Sequence, residues 1–353
     1  MNKRIDNLRN KMIQENIYQM IITDWFNLVY FADVQIHSGE RMLALLVNRN
    51  GDNYLFVNEL FTAKESDDYQ IVYFNDTDDC IDILSKYING DVISVDPRWQ
   101  AGFLLRLMQK VNAKFVDGGN LMAKLRAIKD EEEREKMIKA SLDNDEVMRK
   151  IVPYIKVGVT ERYLYDVLMG LFEEVTGEPV SFEPIVAFGK NAADPHHESD
   201  DSVLKDGEVV LIDMGSHYHG YCSDMTRTFL QNNDKMEEIY QIVKNANEEA
   251  EKAIKPGMKF CEIDKVARDI ISEAGYGPYF THRLGHGIGL DIHEPYDVSM
   301  SDEEIIEEGM CFSIEPGIYL PNIGGVRIED LVIVEKGGAR VLNHFSKEKQ
   351  YVK

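Results

Sequence analysis

Four carboxylates and a dense run of histidines are the residues of this chain whose types and spacing could do chemistry. Asp213 ends the apolar run Val209-Val210-Leu211-Ile212, and Asp224 opens the stretch Ser223-Asp224-Met225-Thr226-Arg227-Thr228-Phe229. Gly215 to Tyr221 supplies a turn, and a hairpin centred between Tyr218 and His219 would set the two aspartates face to face. Directly opposed residues have Cβ atoms about 4.5–5.5 Å apart, where like charges repel. Two such carboxylates at an apolar strand end require a cation, a shared proton or a basic neighbour. The arrangement recurs downstream. Glu315 ends one strand-like run, Arg327 to Val334 forms another, and a hairpin centred on Asn322 sets Glu315 opposite Glu329. Arg327 and Glu329 then share a strand face. Four carboxylates from two hairpins, joined by an imidazole, can hold two divalent ions. That donor set suits manganese, iron or cobalt, and zinc less obviously.

Histidine usage points to the same region. Seven of the nine histidines fall between positions 196 and 293: His196, His197, His217, His219, His282, His286 and His293. His282 and His286 have the spacing of a helical metal pair, but Gly285, Gly287 and Gly289 disfavour a helix. Read as extended chain, the two side chains stand roughly 13 Å apart on one face. They cannot share an ion, so one is a ligand and the other supports it or meets substrate. His293-Glu294-Pro295-Tyr296-Asp297 lacks the second histidine of HExxH, which removes that zinc-protease helix. His217, His219 and His344 read as surface or turn residues.

The elements that must position these groups fall into two blocks. In the first 125 residues, an amphipathic helix over Arg4–Asn16 precedes strand-like runs at Met20–Ile22, Leu43–Val47, Tyr54–Val57, Ile71–Phe74 and Val92–Val95. Helical stretches at Asp79–Ile88 and Gln100–Val111 separate them, a pattern that fits a small sheet covered by helices. No glycine-rich phosphate loop follows any of these strands. Near Leu125 the texture changes. Lys129 to Lys136 is a charge run, read as a solvated face opening a long helix toward Ile155, with its acids at the end the helix dipole favours. Further helices are expected at Thr160–Thr176, Lys235–Ile254 and Phe260–Ala274. Asp206-Gly207 with Asp213 and Gly215, and Glu308-Gly309 with Glu315 and Gly317, repeat one pattern, hinting at a duplicated α+β unit in which Asp213 and Glu315 are equivalent.

Composition excludes several partners. The 353 residues carry 62 Asp+Glu against 39 Lys+Arg, a net charge of -23. Such a surplus argues against nucleic acid and against an anionic membrane surface. No apolar run approaches the length of a membrane span, and Met1 to Asp6 lacks the apolar core of a signal peptide. The four cysteines lie far apart and read as buried reduced thiols, so a cytoplasmic protein is expected.

Five motif pieces occur in order: Leu211-Ile212-Asp213-Met214-Gly215, Ser223-Asp224-Met225-Thr226-Arg227-Thr228, Leu284-Gly285-His286-Gly287-Ile288-Gly289, Ser313-Ile314-Glu315-Pro316-Gly317 and Arg327-Ile328-Glu329-Asp330. Together they resemble the metallopeptidases of the pita-bread fold, specifically proline dipeptidases (prolidases) and aminopeptidase P. The resemblance implies a mixed α/β (α+β) chain: a small N-terminal α/β domain over 1–125, then a pita-bread catalytic domain over 126–353 built from pseudo-twofold duplicated units. It implies two divalent metal ions, manganese first, with cobalt, iron or zinc admissible. Their ligands would be Asp213, Asp224, His286, Glu315 and Glu329, with Asp224 and Glu329 bridging. Substrate-contact histidines would be His196 and His293, with His282 and Arg327 also serving substrate; His197 inherits no role.

The activity so implied is hydrolysis of the bond before proline. Glu315 would take a proton from water and return it to the leaving nitrogen, His293, and to a lesser degree His282, would stabilise the oxyanion, and Arg327 with His196 would hold the substrate carboxylate. A prolidase acting on Xaa-Pro dipeptides is the favoured form. Aminopeptidase P acting on longer peptides is the alternative, and a non-catalytic pita-bread module that binds peptides is the other. Methionine aminopeptidases share the ligands but generally lack the large N-terminal domain. A homodimer is implied by the resemblance; from its own composition, the polar loop Gln35–Arg41 between apolar segments is read as carrying His37 and Arg41 to a partner subunit's site, where they would limit substrate length.

Overall fold

The apolar runs of the first block become one six-stranded sheet in the computed structural model, which describes residues 3–352; Met1, Asn2 and Lys353 lie outside it. The strands are β1 (Gln19–Ile22), β2 (Ala44–Asn48), β3 (Tyr54–Asn58), β4 (Gln70–Phe74), β5 (Val92–Val95) and β6 (Lys114–Asp117), in the order β4-β3-β2-β1-β5-β6. β1 pairs antiparallel with β2 and parallel with β5. Helices α1 (Lys3–Gln14), α2 (Trp25–Ala32), α3 (Cys80–Ser85), α4 (Ala101–Lys110) and α5 (Gly119–Ala127) complete this part. Sequence periodicity missed α2, α5 and β6, which are short and carry no clear alternation. Asp24 caps α2, its carboxylate accepting from the Phe26 and Asn27 amides.

The chain divides into two compact units, Met1–Arg126 and Ala127–Lys353. The second opens with α6 (Glu131–Ile151), shorter than the expected run to Ile155, because a 3-10 turn takes over at Val152–Tyr154. Asp130 and Glu133 form a capping box. Glu133 also accepts from the Tyr221 hydroxyl at 2.8 Å. The charge run is therefore not a uniformly solvated face: Lys129 and Glu133 are both buried.

After α6 come α7 (Glu161–Val175), β7 (Ile185–Phe188), β8 (Val210–Met214), β9 (His217–Tyr218), β10 (Tyr221–Cys222), β11 (Met225–Phe229), α8 (Asp234–Ala253) and α9 (Phe260–Glu273). The remaining strands are β12 (Gly285–Gly287), β13 (Glu294–Val298), β14 (Cys311–Ile314), β15 (Gly317–Leu320), β16 (Gly324–Arg327), β17 (Asp330–Glu335) and β18 (Gly338–Val341). They build a sheet β11-β8-β7, a sheet β13-β12-β14-β17-β18, and the hairpins β9–β10 and β15–β16.

Helix pairs cover both faces. Val210 and Ile212 pack with Met148, Leu164 and Leu168 of α6 and α7. Leu211, one residue between, packs with Ile239, Val243 and Ile263 of α8 and α9. β8 is thus buried on both sides, which is why its sequence is an unbroken apolar run. The helix-pair-plus-sheet unit occurs twice, and Gly207 and Gly309 enter β8 and β14 with matching φ of 82° and 94°. This is the mixed α/β fold with a duplicated second unit that the motifs implied.

All four cysteines are free; Cys222 and Cys311 are buried, but Cys80 and Cys261 are only half-buried, against expectation. No helix among the described residues is long and apolar enough to cross a membrane.

Candidate active site

The two carboxylate hairpins differ in how well their register could be foreseen. Through β14–β17 and β15–β16 the pairs run Ile314 with Asp330 and Gly317 with Arg327. Glu315 and Glu329 therefore stand opposite each other in the gap between the two paired segments. Asn322, at φ 63°, makes the turn. The first hairpin is shifted by two residues: Asp213 faces Thr226, not Asp224. Tyr218 pairs with Tyr221, so His219 (φ 48°) and Gly220 (φ 83°) form a two-residue turn with both residues left-handed. Left-handed turns of that kind match the twist of the strands they join. A two-residue shift keeps both aspartates on one face, and they become diagonal neighbours.

All five residues line one cavity of the second unit, about 1030 Å3 in volume, together with His196, His282, His293 and Arg327. Within it, one ligand atom each from Asp224, His286 and Glu329 lies within 4.8 Å of the others. Glu315 Oε1 stands 3.5 Å from His286 Nε2, and Asp224 Oδ2 stands 3.6 Å from the same nitrogen. Asp213 Oδ2 accepts from Arg327 Nη2 at 2.7 Å. The other oxygens of Asp213 and Asp224, both named Oδ1, are buried without a hydrogen-bond partner.

Burial and mutual repulsion act on this cluster in one direction. Burial, then Glu329 and Asp213, raise the Asp224 carboxyl well above its usual range. Burial, then Glu315 and Asp213, do the same to Glu329. Burial moves Glu315 up to about 7, with Arg327 opposing and Asp213 adding to the shift. His286 is driven down to about 3 by burial and by His293. Burial also works against the charge of Arg327, but Tyr319, Asp213, Glu329 and Glu315 together hold it charged. One buried cation facing four carboxylates is an incomplete neutralisation. The donor set of carboxylate oxygens with one neutral imidazole fits a divalent metal.

The positioning groups were less visible in sequence. Arg327 donates from Nε to Thr226 Oγ1 at 3.0 Å and from Nη1 to the Tyr319 hydroxyl at 2.9 Å. Since the guanidinium only donates, the phenol oxygen accepts from it and directs its own proton to His282 Nε2, 2.8 Å away. His282 Nδ1 meets the Arg283 carbonyl at 2.7 Å and must carry the ring proton. Burial and Arg327 lower His282 to about 4, in keeping with that neutral tautomer. Its ring nitrogens are both engaged, and it presents its ring to the cavity. His293 lies edge-on to His286, ring centroids 4.5 Å apart.

His197, unassigned in sequence, belongs to a second cluster with Glu161 and Asp200. Glu161 is fully buried, and its oxygens accept from Phe188 N, Asn191 Nδ2, His197 Nε2 and Asp200 N at 2.7–3.0 Å. Four bonds fill the acceptor sites of a carboxylate, so this cluster anchors the loop that carries His196 and is not a metal site. His37 and Arg41 lie in the first unit. His37 stacks on Trp25 at 5.1 Å, and Arg41 donates to both oxygens of Asp76 at 2.8 Å.

Residues 135–336 match the metallopeptidase family M24, and residues 4–128 match the Creatinase/Prolidase N-terminal domain. The chain belongs to metallopeptidase family M24. It is similar to an uncharacterized peptidase from Staphylococcus aureus (strain bovine RF122 / ET3-1), 39% identical over 351 residues, 98% of this chain and 99% of the relative. Among solved structures, a dipeptidase from Pyrococcus horikoshii OT3 is 34% identical over 99% of this chain and 100% of that one, with a TM-score of 0.92. A Xaa-Pro dipeptidase from Bacillus anthracis is 31% identical over 99% of each chain, with a TM-score of 0.91. Prolidases and an X-Pro aminopeptidase are similar too. This M24 chain is a metal-dependent peptidase of the pita-bread fold, and its buried carboxylate and histidine cluster could hold the divalent metal that the family uses.

Proposed function

We propose that this M24 peptidase is a dinuclear-metal Xaa-Pro dipeptidase. The observation that carries the reading is the set Asp213, Asp224, His286, Glu315 and Glu329 lining one cavity, three of them buried and two nearly so, with two carboxylate oxygens lacking any partner. Those five residues would hold two divalent ions, with Asp224 and Glu329 between them. Manganese is the proposed metal, and cobalt, iron or zinc are its competitors. Ions so held would activate a water and polarise the scissile carbonyl.

The chain's own residues do the rest. Glu315, whose Oε1 stands 3.5 Å from His286 Nε2 at the wall of the cavity, would take the proton from water and return it. The bond before proline is a tertiary amide with no N–H, so the leaving nitrogen must be given a proton, and Glu315 would supply it. His293 would donate to the carbonyl oxygen as it gains charge. Arg327 uses three of its five donors inside the protein. The remaining two, with exposed His196, would hold the substrate carboxylate. His282 would act through its ring and through Tyr319.

One observation favours a second reading. A cavity of about 1030 Å3 is larger than a dipeptide needs, which suits an aminopeptidase P acting on longer peptides. A homodimer in which His37 and Arg41 narrow a partner's site would restore the dipeptidase. The deciding experiment loads metal-stripped protein with manganese, counts ions per chain, and compares Xaa-Pro with Xaa-Pro-Yaa. Close to two ions and faster turnover of the dipeptide are expected. Preference for the tripeptide would replace the dipeptidase by the aminopeptidase. Absence of both metal and hydrolysis would leave a peptide-binding module.

A further inference from the structure

Lys129, just before α6, and Glu294, at the start of β13, are 165 positions apart and meet at 2.9 Å, Nζ to Oε2, with 1% and 2% of their side chains exposed. An ion pair so deep loses about as much solvation as attraction returns, so stability alone accounts poorly for it. Its geometry suggests another role. The second oxygen of Glu294 accepts from the Leu290 amide at 3.1 Å and the Asp291 amide at 3.4 Å. A Cβ on Gly289 would stand 2.8 Å from both carboxylate oxygens, so any larger residue there would have to displace the Glu294 carboxylate. The carboxylate is thus packed inside the turn Gly289–Glu294, closed by Gly289 N to Asp291 O at 3.1 Å. That turn carries His293 to the side of His286. Lys129 is itself fixed, its amide donating to Gly309 O at 2.9 Å and its carbonyl accepting from Arg134 Nε at 3.0 Å.

We propose that Lys129 and Glu294 are a positioning pair: the ammonium holds the carboxylate, the carboxylate holds two turn amides, and the turn sets where His293 stands. The consequence for turnover rests on His293 acting on substrate, as in the function proposed above; the consequence for the turn does not. Two variants test it in the manganese-loaded full chain: Lys129→Met, and Lys129→Met combined with Glu294→Gln. The first removes the ammonium and leaves the buried carboxylate; the second removes both charges at nearly constant volume. Hydrogen exchange at the Leu290 and Asp291 amides, metal content, Tm, kcat and KM on an Xaa-Pro dipeptide are measured.

The double variant is expected to keep Tm and metal content near wild type. Because a neutral amide oxygen accepts more weakly than a carboxylate, it should exchange the two amides about tenfold faster. It should also lose about tenfold or more in kcat with KM little changed, the cost of a misplaced group. Lys129→Met should show the same changes more strongly, and where it does not fold the double variant carries the test. Wild-type exchange and kcat in the double variant would overturn the proposal, as would losses that merely track lost metal or lost folded protein. Faster exchange at the two amides in a protein whose wild type cleaves no Xaa-Pro bond would sustain the positioning pair and remove the dipeptidase.

Discussion

Stripping the metal from this peptidase should make its stability fall as pH rises past neutrality. The sign follows from the buried carboxyls. Glu315 titrates at about 7 in the fold against an ordinary 4.5. Between those values the folded state holds a proton that the unfolded state has released, so stability is full below 4.5 and is lost as pH climbs through 7. The loss is about 1.4 kcal/mol per pH unit, or roughly 3 kcal/mol across the interval. Glu315's side chain is 16% exposed, so little of this is screened by solvent. Asp224 and Glu329 are raised in the same direction. His286 and His282 work oppositely. Held near 3 and 4 in the fold against an ordinary 6.5, they make the unfolded state the better proton binder below 6.5, so stability rises with pH up to that value and then stops changing. Above 6.5 the carboxyls are unopposed.

The assay compares chelator-stripped, dialysed protein with its manganese-loaded form between pH 6.5 and 8 at constant ionic strength. Trp25 and Trp99 both lie in the first unit. Tryptophan fluorescence would therefore follow the wrong unit, and calorimetry or far-UV circular dichroism is the better readout. The stripped protein should lose about 1 kcal/mol over that range through Glu315, and more through Asp224 and Glu329, while the loaded form, its carboxylates held ionised by the cations, stays nearly flat. A stripped protein whose stability is level or rises with pH would refute the reasoning. So would an equal slope in both forms, which would place the titrating groups elsewhere.

Three further outcomes test separate parts of the site. Glu315→Ala should abolish turnover and lower metal content; retained activity at full metal occupancy would remove Glu315 from both roles. Glu161→Ala should cost about 3–5 kcal/mol in urea unfolding, because the buried Phe188 amide, the part-buried Asp200 amide and the Asn191 and His197 side chains lose their acceptor; a change below about 1 kcal/mol would show that the carboxylate is not an anchor. Arg41→Ala removes an exposed ion pair and should leave Tm almost unchanged. If Arg41 narrows a partner's site, it should raise KM for Xaa-Pro relative to Xaa-Pro-Yaa, and an unaltered ratio would end that assignment.

How far the sequence could be read depended on whether a feature lay within one hairpin or bridged distant segments. Glu315 and Glu329 could be paired in advance because the turn between them carries its own sign: Asn322 tolerates left-handed backbone, and the apolar runs on either side fix the register around it. The Asp213 hairpin was shifted because the composition of Gly215 to Tyr221 left several centres open. His219-Gly220 was the true signal, a left-handed residue followed by glycine, and it moves the pairing by two. The face was still right, because a two-residue shift preserves the alternation of the strand. That is why the cluster could be located even though its internal pairing was not.

The groups that orient the cluster leave no comparable trace. Tyr319 is one apolar-looking residue of a short strand, and only the fold reveals that its hydroxyl joins His282 to Arg327. Lys129 and Glu133 sit in a charge run whose composition signals solvent, yet each finds a buried partner more than eighty residues away. Periodicity reports which face of an element is apolar; it cannot report that a charged residue on the other face meets its counter-charge across the core. Burying such charges is costly unless they are paired. A buried lysine and glutamate found together beside a turn are therefore more informative about how a site is held than any of the glycines and histidines that first mark where it is.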